Sequence, residues 1–150
     1  MRSESERSLV ICYARGMWNK LFLLIVGGGT GTICRYWLAE WAQSRWGAWM
    51  PYGTFLVNML GCLIMGILLA VLESRFGSLS ASPTPLRLLL ISGFLGGLTT
   101  FSSYELETWL LLREGAWERA LLYALGSLGL GLMILLGAFK LSRLLLGGRV

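Results

Sequence analysis

Thr99, Thr100, Ser102 and Ser103 crowd four hydroxyls into five positions, directly after the small-residue run Gly93-Phe94-Leu95-Gly96-Gly97-Leu98. Such a stretch makes a poor helix and a good ion site. A helix break here would bare backbone carbonyls that coordinate a cation and N–H groups that bind an anion. Phe101 and Tyr104 lie three apart, on one face if the helix resumes, and aromatic rings carry electropositive edges. A pair of ring edges can line an anion path without a fixed charge, although packing is the plainer use of any single pair. Glu105 and Glu107 follow at a spacing of two, which points them to different helix faces. One is then expected at an interface while the other meets the polar path.

Two further helical lines carry polar groups. Thr54, Asn58, Cys62, Gly66 and Ala70 recur every fourth residue, so they form one narrow stripe. Gly66 and Ala70 suit helix packing. Asn58 needs partners in hydrocarbon, and its amide can donate two hydrogen bonds to an anion. Tyr123 and Ser127 share a face with Gly131 and make a thin hydroxyl track in an otherwise apolar run. Gly126, Gly129, Gly131 and Gly137 suggest close packing of that helix.

Elements that hold these groups must lie in a membrane. The 150 residues are 55% hydrophobic and 14% charged, with a mean hydropathy of +0.66, whereas soluble domains carry about 25% charged residues. Four apolar stretches reach the roughly 20 residues that a span requires: about Trp18 to Ala42, Tyr52 to Leu72, Leu86 to Leu112 and Trp117 to Leu146. The hydroxyl-rich motif falls within the third, where irregular backbone is tolerated only if buried in protein or lining a polar cavity. The expected fold class is an all-α membrane protein of four transmembrane helices with a break in the third.

In the first span, Gly27-Gly28-Gly29-Thr30-Gly31 lacks the preceding strand and following Lys-Ser/Thr of a phosphate loop, and reads as a surface for close helix contact. Arg35 sits one turn beyond Gly31; it either snorkels to the interface or faces protein and water. Pro51 suits the opening of the second span. Cys12, Cys34 and Cys62 have no metal-ligand spacing, and the chain has no histidine, so neither a metal cage nor a disulfide frame is expected. The net charge of +5 resides mainly at segment ends, which argues for headgroups and against nucleic acid. Residues 1–16 form a polar tail, expected to be disordered or absent if translation starts at Met17, and without the features of a cleaved signal peptide.

With four spans, Arg2, Arg7, Arg15, Lys20, Arg75, Arg87, Lys140, Arg143 and Arg149 share one side against Arg35, Arg45, Arg113 and Arg119 on the other, nine to four. Positive-inside reasoning puts both termini in the cytoplasm. Without the residues before Met17 the count falls to six against four. A chain with so little bias can insert both ways and pair antiparallel with itself.

Gly28 to Gly31 with Arg35-Tyr36, Pro51-Tyr52-Gly53-Thr54 with Val57-Asn58 and Gly61, and Gly93 to Ser102 together resemble the small fluoride channels, the Fluc or CrcB-like family, over all four spans from about Met17 to Leu146. The resemblance implies an antiparallel dual-topology dimer in a bacterial inner (plasma) membrane, with two fluoride pores and a structural Na+ at the dimer centre. It implies that Phe101 supplies a ring edge and Asn58 an amide donor to the pore, with Thr54 and Ser102 near the same path. It assigns Tyr123 and Ser127 to the hydroxyl track, Glu107 to an acidic position near the pore, and the Gly96 and Thr99 backbone carbonyls to sodium. The chain departs from the family pattern at Ser103, where threonine is usual, at Tyr104, where a second pore phenylalanine is usual, and at Gly131, which replaces a third hydroxyl.

The implied function is passive export of fluoride from the cytoplasm, with fluoride ion, the lipid bilayer and a second copy or a related subunit as partners, and no nucleic acid. Two other readings compete. A small proton-coupled multidrug exporter needs a carboxylate deep in the membrane, typically in the first span, and Glu40 lies only near that span's end. A non-transporting assembly subunit of a larger membrane complex predicts no ion flux. No nucleophile and base constellation suggests an enzyme.

Overall fold

Apolar runs of this length leave the backbone one way to satisfy its own hydrogen bonds in hydrocarbon, the helix. The computed structural model describes residues 4–76 and 84–147, with side chains described for 16–75 and 84–147. The side chains of Arg2, Arg7, Cys12, Arg15 and Arg149 lie outside the described residues. In chain order come α1 (Glu4–Trp46), α2 (Tyr52–Phe76), α3 (Pro85–Arg87), a π-helical run (Leu88–Leu95), α4 (Gly96–Leu98), α5 (Phe101–Arg113) and α6 (Trp117–Leu145). Four helical segments, Gly16–Trp46, Tyr52–Arg75, Pro85–Arg113 and Trp117–Leu145, are long and apolar enough to cross a membrane.

Glycine decides how α1 meets the third span. A Cβ on Gly27 would strike the Leu89 carbonyl, one on Gly31 the Phe94 carbonyl, and one on Gly97 the Gly28 carbonyl. Two backbones therefore touch without intervening side chains, the arrangement expected of the first span's glycines. The facing π-helical run is a widened coil at the point of closest approach.

The α2 stripe divides as its residue types suggest. Gly66 fits against Leu135, Ala138 and Phe139 of α6, and Ala70 is fully buried. Thr54 and Asn58 instead face the second half of the third span. Of the α6 glycines, only Gly131 is packed, beside Cys62 and Met59; Gly126, Gly129 and Gly137 have open space where a Cβ would sit. The expected close packing at those three positions is corrected: they lie on the outward face of α6.

Turns fix the remaining angles. Gln43 bridges α1 to α2, donating to the Gly47 carbonyl at 2.7 Å and the Met50 carbonyl at 3.3 Å and accepting from the Gly53 amide at 3.3 Å. Helix α5 closes in a Schellman turn: Gly115 takes a positive φ of 76°, and the Gly115 and Ala116 amides return to Leu112 and Leu111. The turn brings α6 back along α5, where Tyr104, Leu111, Ala120 and Tyr123 form a buried cluster. Elsewhere Leu121, Leu122, Leu125, Leu132, Met133 and Leu136 point outward, as lipid-facing side chains do.

Candidate functional site

Helix α4 stops at Thr99 and α5 starts at Phe101, so the third span breaks at two threonines. Thr99 (φ −88°, ψ 156°) and Thr100 (φ −148°, ψ 115°) are both extended. Their β-branched side chains favour extended backbone, but an interrupted ladder at this depth needs substitute partners.

Asn58 supplies them. Its Oδ1 accepts the Thr100 amide at 2.9 Å and its Nδ2 donates to the Thr100 carbonyl at 3.2 Å. The side-chain amide thus pairs with Thr100 as a neighbouring strand would. A continuing helix would have given the Thr100 amide to the Gly96 carbonyl; the diversion to Asn58 releases that carbonyl from the ladder. Asn58 was expected to offer two donors to an anion. One amide hydrogen is committed to Thr100, which leaves one for a ligand.

Thr100 then starts α5. Its hydroxyl accepts the Ser103 amide at 3.2 Å, donates to Ser103 Oγ at 3.0 Å and lies 3.3 Å from Ser102 Oγ. Threonine at an N-cap satisfies an otherwise orphaned donor in this way. On the opposite side, Arg35 Nη1 donates to the Thr99 carbonyl at 3.5 Å. Of the two readings of Arg35, the structure selects the one in which it faces protein. Gly61 makes room for the break, because a Cβ there would meet the Thr99 methyl group.

Below the break the aromatic rings form a ladder. Phe101 and Tyr104 have ring centroids 5.5 Å apart, and Tyr104 and Tyr123 5.4 Å apart. Phe101 is 68% exposed in the single chain, whereas Tyr104 is buried. The Tyr104 hydroxyl donates to the Ala124 carbonyl of α6 at 3.1 Å. The two glutamates separate as their spacing predicts: Glu105 is exposed, and Glu107 turns inward. Its carboxylate accepts Thr54 Oγ1 at 2.6 Å and the Tyr123 hydroxyl at 2.7 Å. Both donors are buried.

Two openings flank this chain of contacts. A groove of about 410 Å³ is lined by Asn58, Gly96, Thr99, Thr100, Phe101, Tyr104 and Ser127 together with apolar residues of α2 and α6. A second cavity of about 320 Å³ is lined by Thr54 and Glu107 with Glu40, Gln43, Glu114 and Arg119. Of the residues singled out in the sequence, Thr54 and Glu107 line the second cavity, Asn58, Tyr104 and Ser127 line the groove with Phe101 at its exposed edge, and Tyr123 joins the two sets through its bond to Glu107 and its ring contact with Tyr104. Ser102 is exposed beside Phe101. Glu40 is exposed at the rim of the second cavity, not deep in the first span. Sequence reasoning missed the Arg35 to Thr99 contact and the Gln43 bridge. A charge inside a span was the signal for the first; nothing marked Gln43.

The Thr54 to Glu107 contact invites an isosteric test. Thr54→Val removes one of two charge-assisted bonds to the carboxylate, and hydrogen bonds to charged groups contribute about 1.5–3 kcal/mol. Unfolding of the purified protein in detergent micelles should show a loss of this size; unchanged stability would mean that the contact is not maintained.

A family model described as CrcB-like protein, Camphor Resistance (CrcB), matches residues 22–139. Among curated proteins, a "Fluoride-specific ion channel FluC" of Roseiflexus sp. is 45% identical over 119 residues, 79% of this chain and 93% of that protein. Proteins of the same name from Thermus thermophilus and Chloroflexus aurantiacus are 42% identical over 129 residues (86% of this chain, 98% of theirs) and 40% over 125 (83% and 96%).

Proposed function

This chain belongs to the CrcB-like family, a multi-pass membrane family, and on that premise we propose that it is a fluoride-selective ion channel. The observation that carries the reading is the break at Thr99–Thr100, held by Asn58 beside a groove that Phe101, Tyr104 and Ser127 also line. Fluoride is small and strongly hydrated, so a selective path must replace its water with close donors and polarised ring edges in a narrow space. The free amide hydrogen of Asn58 and the hydroxyl of Ser127 are donors of that type. Phe101 supplies a ring edge, and Tyr104 stacks behind it. Thr54 and Glu107 add polar groups at the second cavity, Tyr123 joins Glu107 to Tyr104 of the groove, and Ser102 adds a hydroxyl at the edge.

The groove is open along one side, which fits a second copy, or a related subunit, seated antiparallel against it in a bacterial inner membrane. Two such pores then run per dimer. We read the Gly96 and Thr99 carbonyls as ligands of a structural sodium ion at the centre: both residues line the groove, the first is released by the Thr100 to Asn58 bond, the second keeps one lone pair beside the long Arg35 contact at 3.5 Å, and hard cations take oxygen ligands. Such an ion would supply a fixed positive charge that ties the two breaks together. Export needs no coupling. Fluoride enters as neutral HF, is trapped as the anion in a less acidic cytoplasm, and leaves through an anion path down a negative-inside potential.

The test is reconstitution of the purified chain alone in liposomes, with fluoride and chloride efflux recorded in parallel. Fast fluoride efflux with chloride retained is expected. Folded protein that passes no fluoride, alone or with a related subunit, would overturn the reading in favour of an assembly subunit.

A further inference from the structure

Arg119 is the one cation among the described residues that line the second cavity, where it shares the walls with the carboxylates of Glu40, Glu107 and Glu114. It is half-buried in the first turn of α6, whereas Glu40 and Glu114 are exposed. Its Nη1 donates to the Trp49 carbonyl of the α1–α2 turn at 3.1 Å. Among the described residues it makes no ion pair with the three carboxylates, although they line the same space. A guanidinium carries several N–H donors and no acceptor, so one bond to a carbonyl leaves most of those donors for a ligand and the charge unneutralised. The carboxylates weigh less than their number suggests. Glu40 and Glu114 are screened by water at the rim, and both oxygens of Glu107 already accept hydroxyls, from Thr54 at 2.6 Å and from Tyr123 at 2.7 Å. A half-buried charge is screened less than exposed ones, so the arginine dominates the potential felt by an ion inside the cavity.

We propose that the second cavity is a port of the fluoride path, at the end of the bundle where the α1–α2 and α5–α6 turns lie, and that Arg119 is its receiving residue, which draws the anion past the exposed carboxylates toward Thr54 and Glu107. The inference rests on the channel reading above. Tyr123 connects the port to the groove, through its bond to Glu107 on one side and its ring contact with Tyr104 on the other. The bond to the Trp49 carbonyl fixes the guanidinium between α6 and the α1–α2 turn, and it does so without an acidic partner that would cancel the charge. Lysine at this position could supply the charge, whereas glutamine could supply only the donor to Trp49.

Charge and contact are separated by salt. Arg119→Gln and Arg119→Lys are reconstituted with the wild type, with matching elution profiles to show that each is folded. Fluoride efflux is measured at about 10 mM and about 300 mM ionic strength, set with an impermeant salt, between which the Debye length falls from roughly 30 Å to under about 8 Å. At low salt Arg119→Gln is expected to be about tenfold slower, the lower end of the range for charge steering, and at high salt the difference should shrink to about twofold or less. Arg119→Lys should recover most of the rate. Wild-type rates in Arg119→Gln at low salt, equal slowing of both variants, or slowing that salt leaves unchanged would overturn the proposal. A second readout needs no flux. In a chain with Cys12, Cys34 and Cys62 replaced by alanine, Ala48→Cys places a thiol on the wall of the cavity, and its rates with anionic and cationic methanethiosulfonate reagents are compared in detergent micelles. Adding Arg119→Gln should shift the ratio several-fold toward the cationic reagent; an unmoved ratio would also overturn the proposal. If the wild type passes no fluoride, the channel reading fails, and the reagent ratio still decides whether Arg119 draws anions into the cavity.

Discussion

Asn58→Asp is expected to abolish fluoride efflux while leaving a folded protein. The substitution keeps the acceptor that holds the Thr100 amide at 2.9 Å but replaces the donor that meets the Thr100 carbonyl at 3.2 Å with a second oxygen. Two acceptors then face each other across the break. The aspartate must turn that oxygen away, and its natural direction is the groove, which Asn58 already lines. There it removes the remaining donor and adds negative charge to an anion path. Two like unit charges 4 Å apart repel by about 4 kcal/mol at an effective dielectric of 20, which corresponds to roughly a thousandfold in rate. Asn58→Ser, which keeps a hydroxyl donor without the charge, should retain more flux than Asn58→Asp. The liposome assay separates the cases; efflux unchanged in Asn58→Asp would remove Asn58 from the path.

That prediction was partly legible in the sequence and partly not. An amide in a hydrocarbon-length run, on the same stripe as Thr54, announces a polar contact, because an unpartnered amide there is costly. The partner of that amide could not be read, since it is the backbone of a residue 42 positions away. The break itself was legible from the density of hydroxyl and small residues, but not its placement at Thr99–Thr100, which depends on Asn58 reaching it. Glu105 and Glu107 were separated correctly by helical phase alone, because two residues on a helix cannot share a face at that spacing. Glycine was the least informative type. A glycine records only that a side chain is missing: Gly31 and Gly66 lie against backbone, whereas Gly126, Gly129 and Gly137 lie against nothing in this chain. Periodicity cannot distinguish these cases, because the difference lies in the neighbouring helix.

Gly31→Leu and Gly29→Leu, the same change two residues apart, should accordingly have opposite outcomes. At Gly31 even a Cβ collides with the Phe94 carbonyl and lies 2.9 Å from the Leu98 amide nitrogen. Both are backbone atoms that cannot swing aside as a side chain would. Leucine there must drive α1 off the third span, undoing the neighbouring contacts at Gly27 and Gly97 as well. Arg35, one turn further along α1, would lose its reach to the Thr99 carbonyl, so any protein that does fold would also lose this support of the break. The expected cost exceeds about 4 kcal/mol, a range reserved for severe packing faults, and little monodisperse protein should be recovered. Gly29 has nothing within 4 Å of a Cβ. A leucine at Gly29 adds an outward apolar side chain to a helix that already presents Ile25, Val26 and Ile33 in the same manner, and it removes a glycine whose backbone freedom costs about 0.5–1 kcal/mol in a helix. Melting and size-exclusion profiles should therefore match or exceed wild type at Gly29 and collapse at Gly31. Equal behaviour of the two variants would mean that α1 and the third span are not in backbone contact, and the positioning of Arg35 against the break would fall with that contact.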